Sequence, residues 1–415
     1  MADQGGSQHG IARSSRVRTE EQRLRDLEKI RKYRELEDQV RSRVSQRDYS
    51  PETFQLTSKL LRFNPEYYTI WNVRRRCLIS GSFSKPSAGS SCSKGSSSFS
   101  PSDTTTTSSG SYSSSSSTAT PPNPASQTVG KSGITADPDA PATDDTKQDL
   151  DLIRSELGFT IPLLLQSPKC YWIWSYRLWI LRQAIERLPV ATARRIWEEE
   201  LGLASKMLGR DRRNFHAWGY RRHVVEQLES SSLQGSSLVE AGFEYTESMI
   251  KSDLSNFSAW HSRSKLIPRL LDERAADGTA RRAFLDKELD KIREAINVGP
   301  EDQSLWYYHQ FLVLSLVGHD RDQTFIPELS LQDRVGYLKH EIEEIKDLLE
   351  DYQDIKLIYE GLFEYTIYVC QLEGRRPNAS EQADLAAWLA KLKELDPMRN
   401  GRWTDLERDL AATAG

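Results

Sequence analysis

Few residues in this chain have types and spacings that could do chemistry. The four cysteines, Cys77, Cys92, Cys170 and Cys370, are separated by 15, 78 and 200 residues, so no pair has the short spacing of a zinc knuckle or a dithiol redox centre. Any metal this protein needs is therefore expected on another chain. One lysine stands out by its surroundings. Lys169 lies five residues before Trp174 in SPKCYWIWSYRLW, and four other segments align with that one: NPEYYTIWNVRRR, DRRNFHAWGYRRH, DLSNFSAWHSRSK and GPEDQSLWYYHQF. In those four the lysine's position holds Glu66, Arg213, Ser255 and Glu301. The sequence puts this position in the first turn of a helix, where free N–H groups carry partial positive charge and an acidic residue is the favourable choice. A lysine there gains most when an anion lies opposite it, since a helix amino terminus plus an ammonium makes a phosphate site. On the residues alone, a solvated surface lysine is the expected reading.

The elements that must position these residues are visible in the tryptophans. Tryptophan with arginine three positions later recurs at Trp71/Arg74, Trp174/Arg177, Trp218/Arg221 and Trp260/Arg263, with Trp306/His309 as a variant, and the intervals are 103, 44, 42 and 46 residues. Seven residues before the tryptophan stand Asn64, Ser167, Asp211 and Asp253, predicted N-caps, with Gly299 in the fifth unit. Pro65, Pro168 and Pro300 follow at the predicted first helical position. The aromatic three before the tryptophan (Tyr68, Tyr171, Phe215, Phe257), the tryptophan and the arginine share one helical face, predicted to be the packing face. An amphipathic stretch precedes each unit, at 52–61, 151–165, 192–208, 239–250 and 283–296. Each unit is thus helix, tight turn, helix. Such a hairpin cannot bury its apolar face alone, so five or six stack into an all-α solenoid, an α-α superhelix. Residues 13–44 read as a charged entry helix and 380–395 as a closing one. A degenerate sixth unit spans 351–369, with Ile358 in the tryptophan's place.

The first tryptophan interval is long because of one composition break. Between residues 81 and 120, 19 of 40 residues are Ser and 6 are Thr, followed by Pro121, Pro122 and Pro124 and an acidic stretch. Such a segment has too little apolar surface to offset its ordering entropy. We expect a disordered insertion over 81–145, within a repeat domain over 50–415 that follows a charged arm and entry helix over 1–49. With 56 Lys+Arg against 60 Asp+Glu the net charge is −4, which offers no general field for nucleic acid. The longest apolar run, 311–317, has the length of a core helix, far short of a membrane span. Residues 1–10 lack the apolar stretch of a secretory signal, so a cytoplasmic location is expected.

The pattern of asparagine, aromatic, two residues, tryptophan, two residues, arginine resembles the repeat of protein prenyltransferase α subunits. Tetratricopeptide repeats differ: their period is shorter and their tryptophan lies in the first helix. Two further stretches are similar to the Rab geranylgeranyltransferase branch: His9 and Gly10 followed by a basic arm and Thr19-Glu20-Glu21-Gln22, and Leu395-Asp396-Pro397-Met398-Arg399. That branch begins Met-His-Gly, whereas eight residues precede His9 here. No strand-rich or leucine-rich segment of the mammalian kind is visible, so the chain looks like the compact, fungal-type form.

The resemblance implies a crescent of hairpins around a β subunit that holds zinc and most of the isoprenoid pocket. The pair would transfer geranylgeranyl from geranylgeranyl diphosphate to carboxyl-terminal cysteines of Rab GTPases presented by a Rab escort protein. It implies that Lys169 reaches across the subunit boundary toward the diphosphate, with Tyr171 donating a phenol proton to the same group or simply packing. Asn214, Phe215 and His216 match residues at the subunit junction near the active-site mouth. His216 is expected to make a polar interface contact rather than act as a base. Trp71, Trp174, Trp218, Trp260 and Trp306 are expected in the core, and the arginines at plus three are expected to tie adjacent hairpins together. Trp172 stands where the α subunit shared by farnesyltransferase and the type I enzyme has a glutamine that binds the CaaX carboxylate. Indole cannot offer an amide's donor and acceptor, so an enzyme that does not read that carboxylate is favoured over the CaaX enzymes. A non-enzymatic helical-repeat scaffold is the reading from outside this class.

Overall fold

The computed structural model describes residues 19–84, 144–318 and 324–414. Helix α1 (Glu20–Ser45) opens at a capping box in which Thr19 and Gln22 satisfy each other's backbone N–H groups. It is charged nearly all round and buries only Val40. Residues 13–18 of the expected entry helix lie outside the described residues.

Helical hairpins follow in chain order. They are α2 (Pro51–Phe63) with α3 (Tyr68–Cys77), α4 (Asp144–Gln166) with α5 (Tyr171–Arg187), and α6 (Val190–Arg210) with α7 (Phe215–Glu229). Next come α8 (Val239–Ser252) with α9 (Phe257–Glu273), α10 (Gly278–Val298) with α11 (Gln303–Val317), and α12 (Leu331–Asp351) with α13 (Lys356–Leu372). The closing helix α14 (Ala379–Leu395) is joined through a 3-10 turn at Pro397–Arg399 to α15 (Asn400–Ala414), which the hydrophobic pattern did not reveal. Trp403 anchors α15, buried and donating Nε1–H to the Asp396 carbonyl at 3.2 Å. The architecture is the expected all-α array of stacked hairpins. Among the described residues no helix is long and apolar enough to cross a membrane.

The turn inside each hairpin corrects two expectations. Asn64, Ser167, Asp211, Asp253 and Gly299 close the first helices instead of opening the second ones. Asn64 has φ −147° and ψ 92°, and Asp211, Asp253 and Gly299 are similarly extended. Where a proline follows, the steric reason is direct, because proline disfavours helical backbone in the residue before it. The chain then makes one turn, and the second helix begins three residues before the tryptophan. Asn214, Asn256 and Asp302 cap α7, α9 and α11. The tryptophan fastens the turn: Trp71, Trp174, Trp218, Trp260 and Trp306 each donate Nε1–H to the carbonyl six residues earlier, at 2.7–2.9 Å. In the sixth hairpin Tyr359 does the same to Gln353 at 2.8 Å. Tyr359, not Ile358, therefore takes the tryptophan's place, since only its ring carries a donor at the right reach. Ile358 is buried beside it.

Buried ion pairs hold successive hairpins together. Arg74 on α3 makes a two-pronged contact with Glu156 on α4 at 2.6 and 2.7 Å, and Tyr176 on α5 donates to the same carboxylate at 2.6 Å. Arg177, Glu200 and Tyr220 repeat the arrangement, as do Arg263, Glu288 and Tyr308. At the next junction His309 bridges Glu341 at 2.9 Å and Tyr365 at 2.8 Å. Each glutamate stands eighteen residues before the tryptophan or tyrosine of its hairpin. Burial, and after it the neighbouring glutamate, pushes the phenols of Tyr176, Tyr220 and Tyr308 well above their ordinary range, so they remain donors.

The long insertion is pinned where it leaves and where it returns. Ser84 donates its backbone N–H and hydroxyl to Asp149 in the first turns of α4, at 2.9 and 2.5 Å, and its carbonyl accepts from Arg187 at 2.8 Å. Residues 85–143 of the expected insertion lie outside the described residues.

Candidate functional site at the turn between α4 and α5

Lys169 lies in the turn between α4 and α5, not in the first turn of a helix: α5 begins two residues later. Its side chain is 72% exposed, and its ammonium is 3.6 Å from the carboxylate of Asp211 in the corresponding turn of the next hairpin. Lys169 therefore adjoins the positive amino-terminal end of α5 from the loop side, with its ammonium turned to Asp211.

That turn is held from two directions. The Pro168 carbonyl accepts Trp174 Nε1–H at 2.9 Å and Asn214 Nδ2–H at 3.0 Å. Asn214 is almost fully buried, and its Oδ1 accepts the backbone N–H groups of His216 and Ala217 at 3.1 and 3.3 Å. Its amide thus joins the cap of α7 to the turn that carries Lys169, and it can act on a ligand only by positioning. Asn256 donates in the same way to the Arg212 carbonyl at 3.1 Å, and Cys170 donates its thiol to the Pro65 carbonyl at 3.4 Å. The turns of the second, third and fourth hairpins are each laced to the one before.

The aromatics three residues before the tryptophans do not share the packing face. Tyr171 is 55% exposed and Phe215 is 68% exposed, and Tyr68 and Phe257 are also exposed. Three residues carry a helix through about 300°, so these aromatics lie about 60° off the tryptophan, and at the amino-terminal end of each second helix there is no preceding turn to cover them. They form a row along one edge of the array. Trp172 is half-buried within it, its ring 4.6 Å from Tyr68 and 5.0 Å from Tyr171. His216 is half-buried, with the Tyr171 ring 6.3 Å away and the Phe215 ring tilted against it at 3.9 Å. Burial holds the His216 imidazole below its ordinary pKa, opposed by Glu66, so it is neutral near pH 7.

Lys169, Tyr171, Trp172, Phe215 and His216 are thus brought to one edge, with Asn214 beneath them. The arrangement offers one mobile cation and a phenol beside an aromatic surface, which suits an anionic group on a large apolar body. The five repeat tryptophans are buried, as expected. Among the described residues no group of three His, Cys, Asp or Glu side chains is disposed to hold a metal. Burial also pushes the Cys77 and Cys170 thiols up to about 11, which leaves them poor nucleophiles. Sequence reasoning missed Asp211 as the partner of Lys169, which only folding brings near. It also missed the glutamates and tyrosines that pair the repeat arginines, although their fixed offsets of minus eighteen and plus two from the tryptophan are visible once the units are aligned.

A repeat subunit of stacked helical hairpins is what this fold defines, and the comparisons agree on which one. Residues 50–80, 153–184, 197–228, 239–270 and 285–316 match the protein prenyltransferase alpha subunit repeat, one match for each of the first five hairpins. The chain is 31% identical to the geranylgeranyl transferase type-2 subunit alpha of Schizosaccharomyces pombe over 97% of its own length and 98% of the relative's. With the Candida albicans protein of the same description it shares 29% identity over 96% and 97% of the two chains. The rat protein of that description is 27% identical over 74% of this chain and 42% of its own. A solved chain of Candida albicans protein geranylgeranyltransferase-I complexed with GGPP has the same fold, with a TM-score of 0.52 at 16% identity over 92% of this chain and 91% of that one. The chain belongs to the protein prenyltransferase α-subunit family. Within it, the end-to-end matches are to type-2 geranylgeranyl transferase α subunits.

Proposed function

We propose that the chain works as the α subunit of a heterodimeric type-2 protein geranylgeranyltransferase, which moves geranylgeranyl from geranylgeranyl diphosphate onto carboxyl-terminal cysteines of Rab GTPases presented by an escort protein. The observation that carries this reading is the end-to-end match to the fission-yeast type-2 α subunit. The β subunit would contribute the isoprenoid pocket and a zinc ion, which supplies a thiolate at neutral pH. The exposed aromatic row along the inner turns suits a broad apolar contact with such a subunit.

In the transfer a carbon–sulfur bond forms, the allylic carbon–oxygen bond breaks, and diphosphate leaves with the bonding electrons. Negative charge therefore grows on the leaving oxygens in the transition state. Lys169 is the group of this chain suited to meet it, because its ammonium is exposed and, among the described residues, paired with the partly exposed Asp211 alone. Exchange of that carboxylate for a more highly charged diphosphate is favourable, and the contact strengthens as the bond breaks. Tyr171 supports it as a neutral donor. Asn214 acts through the Pro168 carbonyl by fixing the turn.

Lys169→Ala in the assembled heterodimer should lower the single-turnover rate constant of prenyl transfer by about 10²-fold, the scale for loss of one preorganised charge stabiliser. Isoprenoid affinity should change much less. A rate within about threefold of the parent, with the dimer intact, would return Lys169 to an ordinary surface residue.

A further inference from the structure

One junction of the array departs from the others. Arg221 on α7 occupies the position of Arg74, Arg177 and Arg263, yet among the described residues it makes no hydrogen bond or ion pair, and its Nε is buried without a partner. The three groups that form the cluster at the other junctions are replaced together. The threonine fourteen residues before the tryptophan, which bonds the guanidinium as Thr57, Thr160 and Thr246, is Ala204 in this hairpin. The glutamate expected on the next hairpin is Gly242, and the tyrosine that shares it is Ser262, whose buried hydroxyl is also unpartnered. The guanidinium keeps only the ring contact, 3.8 Å over Tyr245, as Arg74 lies 4.2 Å over Phe159 in addition to its ion pair. Beside it, between α7, α8 and α9, is a cavity of about 280 Å³.

The cavity carries an excess of positive charge. Arg221, Arg222, Lys265 and Arg269 line it, against Glu226 and Glu229. Glu229 is already engaged by Arg269 at 2.8 and 2.9 Å. Its other walls include apolar side chains, among them Leu238 and Leu266. Arg221 is only half-buried, but a buried Nε–H without an acceptor is costly, and a carboxylate is the partner a guanidinium takes in two-pronged geometry. We propose that this cavity is a binding site for a carboxylate on a short apolar stem, which enters from outside the chain and takes the position that a glutamate of the chain fills at the other junctions. The carboxylate has two possible sources, a free short-chain carboxylic acid and an acidic side chain of a protein docked on these helices.

The test follows the Arg221 Nε–Hε resonance of the full chain during titration with propionate, with propionamide as the uncharged control. Propionate should shift it saturably below about 100 mM, the range for one charge-assisted contact with a small ligand, and propionamide should not. Gly242→Glu restores the missing side chain. Its Cβ would meet the Leu266 side chain no closer than 3.4 Å, so it has room. That variant should show the shifted resonance without ligand and no further response. Arg221→Met should lose at least tenfold of the propionate affinity measured by calorimetry, which keeps the proposal open to disproof if Gly242→Glu does not fold. The second arm rests on the heterodimer reading and separates the sources. A resonance already shifted and insensitive to propionate in the heterodimer identifies a partner's side chain, and one still responsive identifies a free acid. Failure of the parent chain to assemble would count against the heterodimer alone and leave the propionate arm to decide. No saturable shift in the parent chain, or an equal shift with propionamide, overturns the site.

Discussion

Arg177 and Glu200 show what one side-chain pair contributes to this array. Both are almost fully buried, and the guanidinium also bonds the Leu157 carbonyl at 2.7 Å, so neither charge can turn to solvent if its partner is lost. Glu200→Ala should therefore destabilise the chain by about 3–5 kcal/mol in denaturant unfolding, whereas replacing the pair together by apolar residues of similar volume should cost much less. Glu288 gives the same arrangement a pH signature. Burial would raise its pKa, but the Arg263 hydrogen bonds and charge outweigh that and carry it below the usual carboxylate range. A group lowered on folding adds stability that is fully present above its unfolded value, about 4.3, and is lost as pH falls through the folded value. The melting temperature of the parent chain should consequently fall more steeply below about pH 4 than that of Glu288→Gln, which has no proton to take up there. Parallel slopes would remove Glu288 from the acid response.

Turns, more than helices, set the geometry at the next scale. The second helices start three residues before their tryptophans because the chain first makes a turn fastened by an indole N–H, and Asn214 and Asn256 then lace that turn to the preceding hairpin. Gly361 shows how tightly the next layer packs: a Cβ there would lie 3.0 Å from the Trp306 ring. The inserted segment is the opposite case. Its ends are anchored by Ser84 and Asp149, so the chain leaves and returns at one place on the array. Replacing residues 86–143 with a short Gly/Ser linker, leaving Ser82, Ser84 and Asp149 untouched, should change helicity and melting temperature little, since loop length enters only as about (3/2)RT ln of the length ratio. Calorimetry and circular dichroism would check this, and a drop of more than about 5 °C would show that the segment packs on the hairpins.

At the scale of the whole molecule, the exposed aromatic row and the Lys169 edge form the surface that the proposed second chain would cover. Trp172 then bears on which substrates the pair accepts. Its ring is held between Tyr68 and Tyr171, so it fills the space beside the lysine turn and presents no amide to a peptide carboxylate. The assembled enzyme should prenylate a Rab–escort complex and ignore a short CaaX peptide. Efficient modification of the peptide alone in a steady-state assay would move the reading to the α subunit shared by the CaaX enzymes.

Much of this was legible before folding. Tryptophans recurring every 42 to 46 residues, each preceded by an amphipathic stretch, determine the hairpin and its stacking, because period and amphipathicity are properties of consecutive residues. The buried positions of Trp71, Trp174, Trp218, Trp260 and Trp306 and the hairpin-linking role of most of the arginines were also read correctly. Other features depended on residues far apart in the chain. Asn64 and Pro65 look like a helix start from local propensity, yet they close one helix and enter a turn whose Pro65 carbonyl accepts both the Trp71 indole and the Cys170 thiol of the next hairpin. Tyr68 and Tyr171 look like packing residues until the array leaves the ends of their helices uncovered. Asp211 finds Lys169, and Arg221 lacks the partners its equivalents have, only when successive hairpins are stacked. Local pattern determined most of the helices, though not α15, and the inward turn of the tryptophans, though not of the aromatics three residues before them. The pairing of charges between hairpins was decided by tertiary structure, since a buried ion pair exists only where two separate segments exclude water from the same space.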